Sequence, residues 1–355
     1  MARSFDRGGK FFVLDRSHWA QLWNVETTNR LNLVTAYLVL LAGTGADHRL
    51  TKWSAKACEE RAGMGKPRAK IAIEEIIRAG LAERTETSRP SFPQYRLAAV
   101  HREVEPIFLP MQLVTGFESE TPVLRRVRET GDALVLRMLI DLYGSIQIDA
   151  PYGVPLEKLR SYHSVDDSPE AARKIMEMGA NAVWSLNPGN TRSGGGEWTA
   201  VHAVGTKSKP DWTAFWARLD TLQKIGAVWF EPWVFAGSSW DAEPLFPVDT
   251  GSNERSPSVD VKALSRLMQQ AALALAADRT YLVEPYWDHI LVTLPTHHQP
   301  PALRGVARLQ VEADTPGRRA AYAKRKSSIE SYTAAYEQLV RDTSGGRHDR
   351  PIKLA

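Results

Sequence analysis

The sequence predicts an α+β fold that is mainly helical. Three observations carry that reading. Segments with apolar residues every three or four positions dominate, and short alternating runs lie between them. Capping residues, prolines and glycines mark where those segments start and stop. The order helix, helix, helix, strand, strand is legible near the start and recurs in outline further along. With 355 residues, 43% hydrophobic and 24% charged, the chain is long enough for two or three packed domains of ordinary composition.

The elements follow in order. "FFVLDRSHWAQLW" (11–23) reads as a short strand and a helix. In "TNRLNLVTAYLVLLAGTG", Thr28 or Asn29 caps a buried helix that Gly43 and Gly45 stop. Its apolar run, Leu33–Gly43, is too short to span a bilayer. "LTKWSAKACEERAGMG" is a shorter helix ended by Gly63. "KPRAKIAIEEIIRAGL" follows, with Pro67 in the first turn, where its missing N–H had no helical partner to lose. Ile73, Ile76 and Ile77 form its buried stripe, and Gly80 stops it. "LAERTETSRPSFPQYRLAAV" is a hairpin with a polar tip.

Val123–Gly144 then reads as one long amphipathic helix, and "YGVPLEKLRSYHS" as a short one. An insertion at about 165–208 holds a helix (Pro169–Gly179), a glycine-rich loop "NPGNTRSGGGEW" and a strand-like "WTAVHAV". "KPDWTAFWARLDTLQKIGAVWFEPWVF" repeats the earlier frame. Lys66-Pro67 matches Lys209-Pro210, and Ile73, Ile76, Gly80 match Leu219, Leu222, Gly226. Two strands around "AGSSWD" follow. "VDVKALSRLMQQAALALAA" is a helix, "YLVEPYWDHILVTLP" is strand-like, and a helix opens at Thr315-Pro316. The expected domains are an extension (1–27), the first repeat (28–105), the second with its insertion (106–250), a C-terminal helix and strand region (251–340) and a flexible tail (341–355).

The phosphate-loop look of "GMGK" does not survive inspection. A nucleotide loop needs a glycine five residues before Gly65 and a hydroxyl after Lys66, but Glu60 and Pro67 stand there. The turn "RAGMGK", the helix ending "IEEIIRAGL" and the returning strand "QYRLAAV" instead make residues 28–100 resemble a winged helix-turn-helix domain. The repeat makes the whole chain similar to tandem winged helices with an insertion and a C-terminal helical extension. That layout resembles plasmid-type replication initiators, although no initiator-specific motif is present.

The resemblance implies a double-stranded DNA partner and a role in transcription regulation or DNA replication initiation. Lys66, Arg68 and Lys70 then project from the first turns of the reading helix. Lys52, Lys56 and Arg61 before it, and Arg84 and Arg89 in the wing, clamp the backbone. A solvated, charge-rich helix face is the alternative. Charge by segment fits a polyanion at the ends: residues 1–110 carry net +5, 111–299 net −6 and 300–355 net +5. In the C-terminal helix Arg318, Arg319, Lys324, Arg325 and Lys326 are candidate phosphate contacts. The second repeat carries aromatics instead. Trp212, Phe215 and Trp216 are expected to pack on a neighbouring domain, a protein partner or a second copy in a homodimer. On a rival reading the winged helices are protein-interaction modules.

Chemistry is sparsely signalled. A single cysteine, Cys58, excludes an internal disulfide framework and multi-cysteine zinc modules. His297-His298 are adjacent and expected to point apart. No convergent acid/base set is legible, so no enzyme activity, metal or cofactor is expected. No signal-like or membrane-spanning apolar run is seen, so a cytoplasmic location without membrane attachment is expected.

Overall fold

A computed structural model describes residues 11–101, 103, 105–117, 120–147, 152–154, 159–162, 172–187, 191–194, 212–239, 241–251 and 257–345. It is α+β. The chain divides into two compact units, the first 1–145, 202–228 and 309–316, the second 146–201, 229–308 and 317–355.

In the first unit, β1 (Phe11–Leu14) leads into α1 (Arg16–Asn24), whose start is capped by Asp15. The Asp15 carboxylate accepts from the Ser17 and His18 backbone N–H groups, satisfying two donors that the first helical turn leaves open. In α2 (Arg30–Ala42) every residue after Arg30 is buried, and Asn29 caps its start. Then come β2 (Leu50–Thr51), α3 (Ala55–Ala62) and α4 (Lys66–Arg78). Gly63 ends α3 at φ +64°, a left-handed conformation that costs glycine nothing. Helices α2, α3 and α4 pack on one another. Ile73 and Ile76 are fully buried, each worth about 1.5–3 kcal/mol of apolar transfer. Ile77 is only half-buried.

β3 (Ala82–Arg84) and β4 (Tyr95–Leu97) form the hairpin, and β2 joins on the far side of β4, giving a three-stranded antiparallel sheet in the order β2-β4-β3. β5 (Ile107–Pro110) returns to pair with β1, so the segment after the hairpin is tied to the first strand. α5 (Gln112–Thr115), α6 (Val123–Glu129) and α7 (Ala133–Tyr143) follow. The expected single helix over 123–144 is therefore two. Gly131 adopts φ +76° and Asp132 caps the new start by accepting from the Leu134 N–H.

In the second unit β6 (Leu159–Tyr162) stands where a short helix was expected, because it is held between β13 and β9. β7 (Ala172–Met178) stands where the insertion's helix was expected. It lies against β8 (Asn181–Leu186), every residue of which is buried, and tertiary pairing overrides its helix-compatible composition. β9 (Thr191–Gly194) occupies part of the glycine-rich segment expected to be a loop, and "WTAVHAV" lies outside the described residues.

The second repeat's helix is α8 (Trp212–Lys224), assigned to the first unit, where it packs on α7. Its two strands, β10 (Val228–Phe235) and β11 (Pro244–Pro247), are the end of a five-stranded sheet β11-β10-β13-β6-β9. The expected second wing is thus a correction: β13, from the C-terminal region, takes the place beside β10, so the pair does not close a small sheet of its own.

α9 (Val259–Ala276) packs on β12 (Ile290–Pro295), the edge of a second sheet β12-β8-β7. Of the strand-like segment expected over 281–295, the start lies in 3-10 turns (Ala277–Leu282 and Glu284–Tyr286), and only Ile290–Pro295 is strand. β13 (Ala302–Leu309) and α10 (Pro316–Gly345) complete the unit. Ile329, Tyr336 and Leu339 of α10 join the core of α9, β8 and β12. Helix α10 runs into the expected tail as far as Gly345. Among the described residues no helix is long and apolar enough to cross a membrane.

Candidate nucleic-acid interface

The outer face of α4 is where the predicted site residues come together. Lys66, Pro67, Arg68, Lys70, Ile71, Glu74 and Arg78 are exposed, while Ala69, Ala72, Ile73, Glu75 and Ile76 face inward. Pro67, Ile71, Glu74 and Arg78 fall on one stripe at steps of four and three. Lys66 and Lys70 lie to one side of it and Arg68 to the other.

Glu75 is buried and accepts from the Thr27 hydroxyl at 2.6 Å. Its charge is turned into the protein. It also lines a shallow concavity of about 170 Å³ with Thr28, Asn29, Asn32, Arg68 and Ile71.

The bases divide into two sets. Lys66 lies 3.3 Å from Glu59, Lys56 lies 3.7 Å from Glu60, and Arg84 donates to Glu74. These pairs are about half exposed, so each holds its cation by only about 0–1 kcal/mol. Such partners yield readily to a phosphate. Lys52, Arg68, Lys70 and Arg89 are exposed and have no carboxylate partner among the described residues. Arg61 is half-buried with its guanidinium 5.6 Å from the Trp53 ring centre, which makes it a packing residue as well as a charge.

The wing tip is ordered by its own hydrogen bonds. Thr85 N–H donates to Gln94 O at 3.2 Å, and Arg89 and Phe92 exchange backbone bonds at 3.2 and 2.9 Å around Pro90 and Ser91. Phe92 stands 73% exposed beside Arg89.

Sequence reasoning missed three contributors. Ile71, given no place in the buried stripe of Ile73, Ile76 and Ile77, is 56% exposed in the middle of the outer one. Arg125 and Arg128 of α6 reach the turn between α3 and α4. Arg128 donates to the Gly63 carbonyl at 3.2 Å and to Asn32 Oδ1 at 3.3 Å, and a Cβ on Gly63 would lie 3.1 Å from Arg125 Nε. Burial lowers the Arg128 pKa, and the nearby Arg68 charge adds to that, which places the two guanidiniums in one positive neighbourhood. The only sequence signal was the run "RRVRE", whose middle arginine, Arg126, turns instead to the Ile225 carbonyl and to Gln310 at 2.7 Å.

Other expected sites separate. Arg325 is not a free phosphate contact: it donates to the buried Glu231 at 2.5 Å, and Arg308 donates to the same carboxylate at 2.6 Å. Lys326 lies 3.7 Å from Glu330, Arg318 is half-buried, and Arg319 and Lys324 are exposed. Phe215 is fully buried and so offers no docking surface, Trp216 is half-buried, and Trp212 is 40% exposed. His297 and His298 do not point apart; their rings face each other with centres 4.8 Å apart. Cys58 is buried, which pushes its thiol pKa up to about 12 and leaves it unreactive at neutral pH.

No protein-family model matches the chain, and neither the curated proteins nor the solved structures compared with it provide a match.

Proposed function

We propose that residues 28–105 form a winged-helix module that binds double-stranded DNA. The carrying observation is one arrangement: α2, β2, α3, α4 and a hairpin close into the sheet β2-β4-β3, and α4 presents unpaired Arg68 and Lys70 at its outward N-terminal end. On this reading α4 enters the major groove. Lys66, Arg68 and Lys70 reach phosphates or guanine edges, and Ile71 offers an apolar contact suited to a thymine methyl. Lys52, Lys56, Arg61 and Arg125 hold the backbone on one side, and Arg84 and Arg89 hold it from the wing. The activity is sequence-specific binding, serving transcription regulation or replication initiation of the plasmid type.

A gel-shift titration with random-sequence duplex tests this. The wild type is expected to shift the duplex at low salt, and Lys66→Glu/Arg68→Glu to lose at least about tenfold in affinity, since each reversed charge removes a phosphate contact. Unchanged affinity in the double variant overturns the assignment of α4.

One observation favours a second reading, a protein-docking module. Trp212 stays 40% exposed at the start of α8, with its ring 5.8 Å from the buried Phe215. If no duplex shifts at low salt while Trp212→Ala changes the sedimentation of the chain, docking replaces DNA binding.

A further inference from the structure

Asp15 does more than cap a helix. Its Oδ1 accepts from Ser17 N–H at 2.7 Å, from Ser17 Oγ at 2.5 Å and from His18 N–H at 3.2 Å. Its Oδ2 accepts from His101 N–H at 2.6 Å and lies 3.0 Å from His101 Nδ1. His101 follows β4, at a separation of 86 residues from Asp15. His18 is buried, and its ring centre is 5.2 Å from that of His101. The Tyr37 hydroxyl lies 3.3 Å from His18 Nδ1 and fixes the ring's orientation. One carboxylate oxygen and one nitrogen from each imidazole all lie within 4.8 Å of one another, and among the described residues no other group of three or more such side chains converges this closely.

We propose that Asp15, His18 and His101 bind a divalent transition-metal ion of the zinc type. Two imidazoles and one carboxylate are a ligand set this ion favours, with a fourth position left to water. Bonds of about 2.0–2.1 Å place tetrahedral ligand atoms roughly 3.3 Å apart. Asp15 Oδ2 and His101 Nδ1 already stand 3.0 Å apart, the whole set lies within 4.8 Å, and His101, whose side chain is 59% exposed, can swing inward to close the remainder. The Arg16 guanidinium does not compete for the place: it turns away to the carbonyls of Glu105, at 2.9 Å, and Gly144, at 2.5 Å.

A nucleophilic Ser17 is not the better reading. Ser17 Oγ and Asp15 Oδ2 both approach the same ring nitrogen of His101, each at 3.0 Å, whereas a serine relay needs them on opposite nitrogens. The ion instead ties the segment leaving the hairpin to the start of α1.

The test uses Co²⁺ as an absorbing stand-in and Zn²⁺ as competitor on the full chain without DNA. The wild type is expected to take up one Co²⁺ with the visible absorption of a tetrahedral site, displaced by stoichiometric Zn²⁺. His101→Ala, at an exposed position, should weaken binding on the order of 10–100-fold. His297→Ala/His298→Ala should change nothing. Zn²⁺ should raise the thermal midpoint of the wild type and not of His101→Ala. Absence of the tetrahedral absorption, its survival in His101→Ala, or its loss in His297→Ala/His298→Ala each overturns the proposal.

Discussion

Salt dependence gives the sharpest test of where DNA would lie. Lys52, Arg68, Lys70 and Arg89 are exposed without carboxylate partners among the described residues, so a bound phosphate gains each of them at no cost in broken ion pairs there. If these four neutralise phosphates, the logarithm of affinity falls with the logarithm of salt at a slope of about −3.6, taking about −0.9 per phosphate. Between about 50 and 200 mM salt the affinity then drops about 150-fold. Lys70→Ala/Arg89→Ala removes two contacts, one from α4 and one from the wing. Its slope should be about −1.8 and its loss over the same range about 12-fold. Fluorescence anisotropy with a labelled duplex at four or five salt concentrations measures both slopes. The paired bases, Lys56, Lys66 and Arg84, contribute less because their carboxylates must first be released. An unchanged slope in the double variant refutes the reasoning, because the two cations would then lie outside the contact surface whatever the absolute affinity.

Two predictions concern stability. Phe215→Ala is expected to cost about 3–5 kcal/mol in denaturant unfolding, as a fully buried aromatic should, while Trp212→Ala stays within about 0.5 kcal/mol. Equal costs would contradict the inward packing of Phe215. In the second unit, burial would raise the Glu231 carboxyl, but the Arg308 and Arg325 guanidiniums and the Trp233 indole bring it down to about 2. A depressed carboxylate stabilises the fold above its unfolded value of about 4.3, and that contribution is lost as pH falls toward 2. Glu231→Gln should therefore be less stable than wild type at pH 7, by about 3–5 kcal/mol for stranded arginines, and should lose less on acidification. Parallel pH curves for the two proteins would exclude the triad as the cause.

The first unit was largely legible in the sequence because its signals are local. Asn29, Gly63 and Pro67 mark helix ends that any short window contains, and each stands where the structure turns. The second unit was not, because its shape depends on partners far away in the chain. β6 and β10 both lie beside β13, residues apart by more than a hundred in one case and about seventy in the other, and nothing in "LRSY" announces that neighbour. The repeat "KPDWTAFWAR" matched a frame of helix, glycine and strand that many folds share, and the third strand that would close a wing is taken up by a larger sheet. At the site, the type of residue on α4 was readable but its facing was less so. Ile71 and Ile77 have the same chemistry as Ile73 and Ile76, and only the packing of α2 and α3 decides which of them meets solvent. The Asp15, His18 and His101 cluster left half a signal: an aspartate and a histidine three apart at a helix start, with the third member far along the chain.

Charge shows the same limit from another side. The basic C-terminal segment carries as much net charge as the N-terminal one, and by composition the two are equal candidates for a polyanion. Placement separates them. Arg304 and Arg308 are buried, the first donating to the Ser239 carbonyl at 2.7 Å and the second to Glu231. Arg325 closes the same ion triad from α10. Three C-terminal bases therefore serve the interior of the second unit, where a positive charge is retained because a carboxylate or carbonyl meets it. On α4 and the hairpin the reverse holds: Glu75 is turned inward while Arg68, Lys70 and Arg89 remain in solvent. A segment's net charge sums both kinds of base. Only the second kind has a favourable contact still to make, and among the described residues Lys52, Arg68, Lys70 and Arg89 are of that kind whereas Arg304, Arg308 and Arg325 are not.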